Sequence, residues 1–239
     1  MRNEIFENQD NQQFAQATMA KTFMSNVFSY MTIALVLSGI AAYLFGTTDS
    51  LIRMLYTETG MSIFGWIVML APLGLVFLLG AKVQKFSYST VLGVFILFAI
   101  LMGMSMGSIF LMYTMSSIAV TFMVTAGTFG VMAILGYTTS TDLTKFGSIL
   151  KMAVIGLIIA MVVNWFMKSE MMDYIISGIG VLVFTGLTAY DTQKLKNIGS
   201  VVDANSEEGK KASIMGALSL YLDFVNLFLF LLRFLGSRD

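Results

Sequence analysis

The segment ASIMGALSLYLDFVNLFLFLL, residues 212–232, holds a single charged residue, Asp223, near its middle. A hydrocarbon core about 30 Å thick calls for about 20 apolar residues at about 1.5 Å of helical rise each, and this segment has that length. Working outward toward the N-terminus, uncharged runs of the same kind recur. Residues 22–48 and 59–81 each fit one span, and residues 86–141 fit two, joined by a polar turn over residues 113–117. A fifth span runs over about residues 146–167, with Lys151 near one end, where its long side chain can snorkel to the headgroups. A sixth runs from about residue 172 to the region of Asp191. The expectation is an all-α integral membrane protein of seven transmembrane helices.

The composition excludes most alternatives. Of 239 residues, 57% are hydrophobic and 12% charged, about half the usual charged share of a water-soluble domain. Fourteen basic residues balance fourteen acidic ones, so there is no positive field to hold nucleic acid. The chain has no Cys and no His, which removes disulfides, thiolate or imidazole metal ligands and the commonest nucleophile and general base. No resident cofactor is expected, and the lipid bilayer is the one partner that composition requires.

Lysine and arginine fall unevenly, ten on the side of the N-terminus against four on the other. That asymmetry predicts a cytoplasmic N-terminus and an outward C-terminus. Residues 1–24 read as a polar cytoplasmic tail, with an interfacial helix over about residues 14–24, and residues 25–239 as one membrane domain. The first apolar stretch is too long for a cleaved signal peptide. Residues 192–211, of mixed charge, read as a solvated connection. Ala99, Gly103 and Gly107, then Ala126 and Gly130, then Gly178, Gly180 and Gly186, have the small-residue spacing that lets membrane helices approach closely. Pro72, the single proline, sits mid-span and marks a kink or hinge.

The acids carry the functional signal. An ionised carboxylate at mid-membrane costs about 2.5–3.5 kcal/mol on insertion scales, so Asp223 should face protein or water. Ser219 and Asn226, four residues before it and three after, would share its face. Asp191, with Thr188 one turn before it, ends the sixth uncharged run. Counted from the same side, Asp191 lies roughly 8–10 Å deep and Asp223 roughly 12–16 Å, so the two can meet. Two carboxyls in contact do not both ionise cheaply and would share a proton, which makes them a proton sensor or a cation site.

FTGLTAYDTQK (residues 184–194), ALSLYLDFVNLFLFLLRFLG (residues 217–236) and AGTFG (residues 126–130) resemble the transmembrane Bax inhibitor motif, or lifeguard, family in its bacterial form. The resemblance implies seven helices with the last one central, wrapped by the other six. It also implies a pH-responsive calcium leak, with Ca²⁺ as the transported ion and the family's acidic pair falling on Asp191 and Asp223. Some members latch the first of these acids with a basic residue at the cytoplasmic end of helix two, where Lys82 is the nearest candidate here. A lysine is a poorer bidentate partner than an arginine. Ser219, Asn226 and water could complete a weak, transient calcium site between the two acids.

Two other classes compete. An intramembrane aspartyl protease also sets two Asp on consecutive helices, but Asp223 follows Leu-Tyr-Leu rather than Gly-x-Gly, and no Pro-Ala-Leu element is present. An interaction protein that modulates a membrane protease or a stress pathway needs only a docking surface. Ion flux from purified protein, with no partner present, separates it from a leak.

Overall fold

The computed structural model describes residues 2–58 and 60–237. The side chains of residues 1–11 and 13, about half of the expected tail, lie outside the described residues, as do Thr59 of the second expected span and Arg238 of the basic count. The elements are α1 (Arg2–Thr47), α2 (Asp49–Leu55), a hairpin of β1 (Tyr56–Thr57) and β2 (Gly60–Met61), α3 (Ile63–Lys82), α4 (Tyr88–Met106), α5 (Ile109–Met112), α6 (Met115–Thr138), α7 (Thr144–Met167), α8 (Glu170–Gly199) and α9 (Glu207–Leu235). Hydroxyl caps fix where five of these helices begin. Ser62, Ser87, Thr114, Ser169 and Ser206 each accept a backbone N–H from the first turn of α3, α4, α6, α8 and α9, satisfying donors that a helix start leaves free.

Among the described residues, seven helices are long and apolar enough to cross a membrane. The outer face of α7 shows what they meet: Ile149, Met152, Ile155, Ile159 and Val163 all lie exposed, a stripe tolerable only in lipid. At the centre stands α9. Its most apolar window is 72% buried, whereas no other span exceeds 39%. It packs against α1, α4, α6 and α8, and Ile214, Leu220, Tyr221 and Leu227 are wholly enclosed. Tyr221 fixes the centre to the first span, since its hydroxyl lies 2.7 Å from Ser38 Oγ, which itself donates to Ala99 O of α4. By contrast α3 is peripheral, packing on α4 and α2.

Three expectations change. Helix α1 runs unbroken across the 24/25 boundary, and Phe23 and Met24 are buried in the main core, because the apolar side chains of this turn meet α8 and α9 before the polar tail begins. The expected solvated connection over residues 192–211 shrinks to residues 200–206. Three of its polar side chains bond the backbone of neighbouring turns. Gln193 donates to Thr141 O and accepts from Leu143 N, Lys196 donates to Tyr137 O at 2.8 Å, and Lys211 donates to Phe86 O at 3.3 Å. These bonds gather the α3–α4, α6–α7 and α8–α9 turns at one end of the bundle.

The third change concerns small residues. Gly103 lies against Ser38 of α1, where a Cβ would collide with backbone, and Gly180 and Gly186 seat Phe230 and Leu150. A Cβ at Gly130, however, would meet nothing within 4 Å. That glycine brings no helix close.

Candidate functional site

Asp191 and Asp223 come together where α8 crosses the central helix. Both are buried, at 8% and 5% exposure, and a bond from Ser219, one turn before Asp223, to Asp191 brings the two acids to neighbouring positions. Two ionised carboxylates have no proton to donate, so a bond between them exists only when one is protonated. The surroundings are uneven. Ser219 donates to Asp191 Oδ2 at 2.7 Å, whereas Asp223 Oδ2 is fully enclosed and has no hydrogen-bond partner among the described residues. A buried acceptor left without a donor is costly, and a proton on the pair, or a cation between its members, would relieve it.

The other sequence candidates fall at different distances from this pair. Thr188, one turn before Asp191, is wholly buried and its hydroxyl is taken by Phe184 O of its own helix. Asn226 is only half-buried and donates to Leu222 O. It lies about 10 Å along α9 from Ser219, the residue that bonds Asp191, and lines a cavity of ≈ 220 Å³ between α7 and α9. The expected latch is not made here. Lys82 is exposed at the end of peripheral α3, and among the described residues no ion pair joins it to Asp191. Pro72 lies buried within an unbroken α3, far in the packing order from α8 and α9.

Lys151 of α7 is exposed, as expected of a lysine near a span end, and it also reaches the residue beside Asp191. Its ammonium donates to the Tyr190 hydroxyl at 3.3 Å and lies 4.8 Å from the centre of the Tyr190 ring. Tyr190 can lie against α7 because Gly147 leaves room for its ring.

Openings lie at both ends of the bundle. A groove of ≈ 310 Å³ at the end that holds the α8–α9 turn is lined by Thr144, Tyr190, Gln193 and Lys194, on the helix that carries Asp191 and on α7 beside it. At the opposite end, a polar cavity of ≈ 370 Å³ around Asp173 and Arg233 shares Met161 and Arg233 with the cavity that reaches Asn226, one turn from Asp223. Arg233 and Asn164 both donate to Asp173 Oδ1 at 3.4 Å there. Among the described residues no group of three acidic, His or Cys side chains gathers to hold a metal ion. The pair can therefore offer a passing cation two carboxyls, and not a cage.

The sequence is similar to those of known proteins. The family described as Bax1-I, Inhibitor of apoptosis-promoting Bax1, matches residues 20–239. The inner membrane protein YbhL of Escherichia coli (strain K12) is 46% identical over 219 residues, covering 91% of this chain and 92% of that protein. An uncharacterized protein of Borreliella burgdorferi is 42% identical over 216 residues, covering 90% and 92%. A membrane protein of Streptococcus pyogenes serotype M3 is 32% identical over 219 residues, covering 91% and 93%.

Proposed function

The chain belongs to the Bax1-I family, inhibitors of apoptosis-promoting Bax1, and from that premise we propose that it is a passive, pH-sensitive leak for Ca²⁺, with Asp191 and Asp223 as proton sensor and ion-binding step. One observation carries the reading: two buried carboxyls meet on the central helix with Asp223 Oδ2 lacking any donor among the described residues. Calcium takes hard oxygen ligands, usually about six to eight, and a site that supplies few of them binds weakly. Weak binding suits conduction, since an ion that enters must also leave. Ser219 holds Asp191 in place while the shared proton moves. No nucleotide-binding loop is present in the sequence, so transport runs down the gradient.

The test is flux from purified protein in liposomes loaded with a calcium dye, with no partner protein present. A calcium signal that changes between about pH 5 and about pH 8, where a coupled carboxyl pair titrates, supports the reading. Protein that passes no calcium at any pH in this range overturns it.

The likeness to an inner membrane protein supports the same compartment here, with the N-terminus in the cytoplasm. The turns that hold Lys82, Lys85, Lys145, Lys194 and Lys196 would then face the cytoplasm together, as the positive-inside rule requires. Reporter fusions after Asp239 should score as external; a cytoplasmic score reverses the orientation.

A further inference from the structure

The six outer spans do not close evenly around α9. Helices α1 and α6 both pack on α8 and α9 yet make little contact with each other, and two cavities mark the seam between them. The larger, ≈ 670 Å³, is lined by Met24 and Phe28 of α1 and by Phe129, Gly130 and Ala133 of α6. The smaller, ≈ 110 Å³, continues along the same two faces, with Gly39 across from Phe122 and Phe224 of α9 between them. On α1 the lining positions 21, 24, 25, 28, 35, 38, 39 and 42 advance in steps of helical period, so they form one stripe. At about 1.5 Å per residue the stripe is roughly 30 Å long, the thickness of a hydrocarbon core.

The seam is built to stay open. A Cβ at Gly39 or at Gly130 would meet nothing within 4 Å, so both glycines widen the gap instead of seating a helix. One end is charged. Lys21 lines the larger cavity beside Tyr137, and the Lys196 ammonium lies 5.1 Å from the Tyr137 ring. An apolar slot in a membrane-spanning bundle, bounded at one headgroup level by Lys21, matches a lipid with a negative head and a long tail. We propose that the α1–α6 seam binds an anionic phospholipid, with one acyl chain between Phe28 and Phe129 and its phosphate at Lys21. This inference does not depend on calcium passing through the protein.

The test uses the full chain in vesicles that contain phosphatidylglycerol or phosphatidylcholine bearing a photoreactive acyl chain, with crosslinked peptides mapped. Phosphatidylglycerol should label α1 and α6 more than phosphatidylcholine does. Lys21→Gln should cut that preference by about fivefold, the weight of one lysine near an anionic surface. Gly130→Leu should fill the seam and reduce labelling by either lipid, whereas Gly156→Leu on α7, where a Cβ also meets open space, should leave it unchanged. Three results would overturn the proposal: labelling of α7 as heavy as that of the seam, equal yields from the two lipids, or crosslinks between two copies of the chain at α1 and α6 in place of lipid.

Discussion

Asp223→Asn should abolish most of the pH response of calcium flux and lower the flux itself by at least about tenfold, while the protein still folds. Asn keeps the shape of the side chain but neither gains nor loses a proton, so the shared proton of the pair disappears from the titration. Two unit charges about 4 Å apart interact by about 4 kcal/mol at an effective dielectric of about 20, and about 1.4 kcal/mol is already a factor of ten. Folding should survive because the amide can donate to Asp191, giving that carboxyl a partner that does not depend on pH. Asp191→Asn should act in the same direction. Its amide can still accept from Ser219, which donates to Asp191 Oδ2 in the parent. Dye-loaded liposomes measured across the pH range check both variants. If each leaks calcium as the parent does at every pH, these carboxyls are not the sensor.

The second large effect is on stability and separates two glycines of one helix. Gly136 of α6 lies against Ala189 of α8, where a Cβ would collide with the Ala189 carbonyl oxygen. Backbone does not yield as a side chain does, so Gly136→Ala should push α6 off α8 and cost about 1–3 kcal/mol or more. Gly130→Ala, two turns earlier, meets open space and should be neutral or stabilise by up to about 1 kcal/mol, because alanine favours the helix over glycine. Thermal unfolding in detergent should place the two midpoints on opposite sides of the parent, or Gly136→Ala far below it. Equal midpoints would mean that the α6–α8 contact carries no stability.

That contrast shows what the sequence could and could not reveal. Uncharged runs mark the seven spans because lipid tolerates few charges, and the physics of one span needs no knowledge of its neighbours. Which face of a span meets protein is a tertiary fact. Gly130 and Gly103 look alike as small residues, but only Gly103 meets another backbone. For the acids, depth counted along two antiparallel helices sufficed to bring Asp191 and Asp223 together. The same counting could not foresee that Lys151 would bond Tyr190, or that Lys82 would stand apart on peripheral α3. Asn226 failed as a third member for a simpler reason: it shares a face with Ser219, but seven residues of rise set it about 10 Å farther along the helix. The buried polar residues of 192–211 were hidden because their partners are backbone carbonyls of other turns, which carry no mark in the amino-acid code.

Among the described spans, the helix at the centre of the bundle comes last in chain order. The six spans before it leave the ribosome first, shaped around a helix that has yet to emerge. At about 5–20 residues per second, the 29 residues of α9 follow within a few seconds. Asp223 then enters a membrane in which Asp191 is already waiting, so the costliest residue to insert arrives when its partner is in place. A nonsense codon late in the gene would not trim this fold; it would withdraw the post around which the other helices stand.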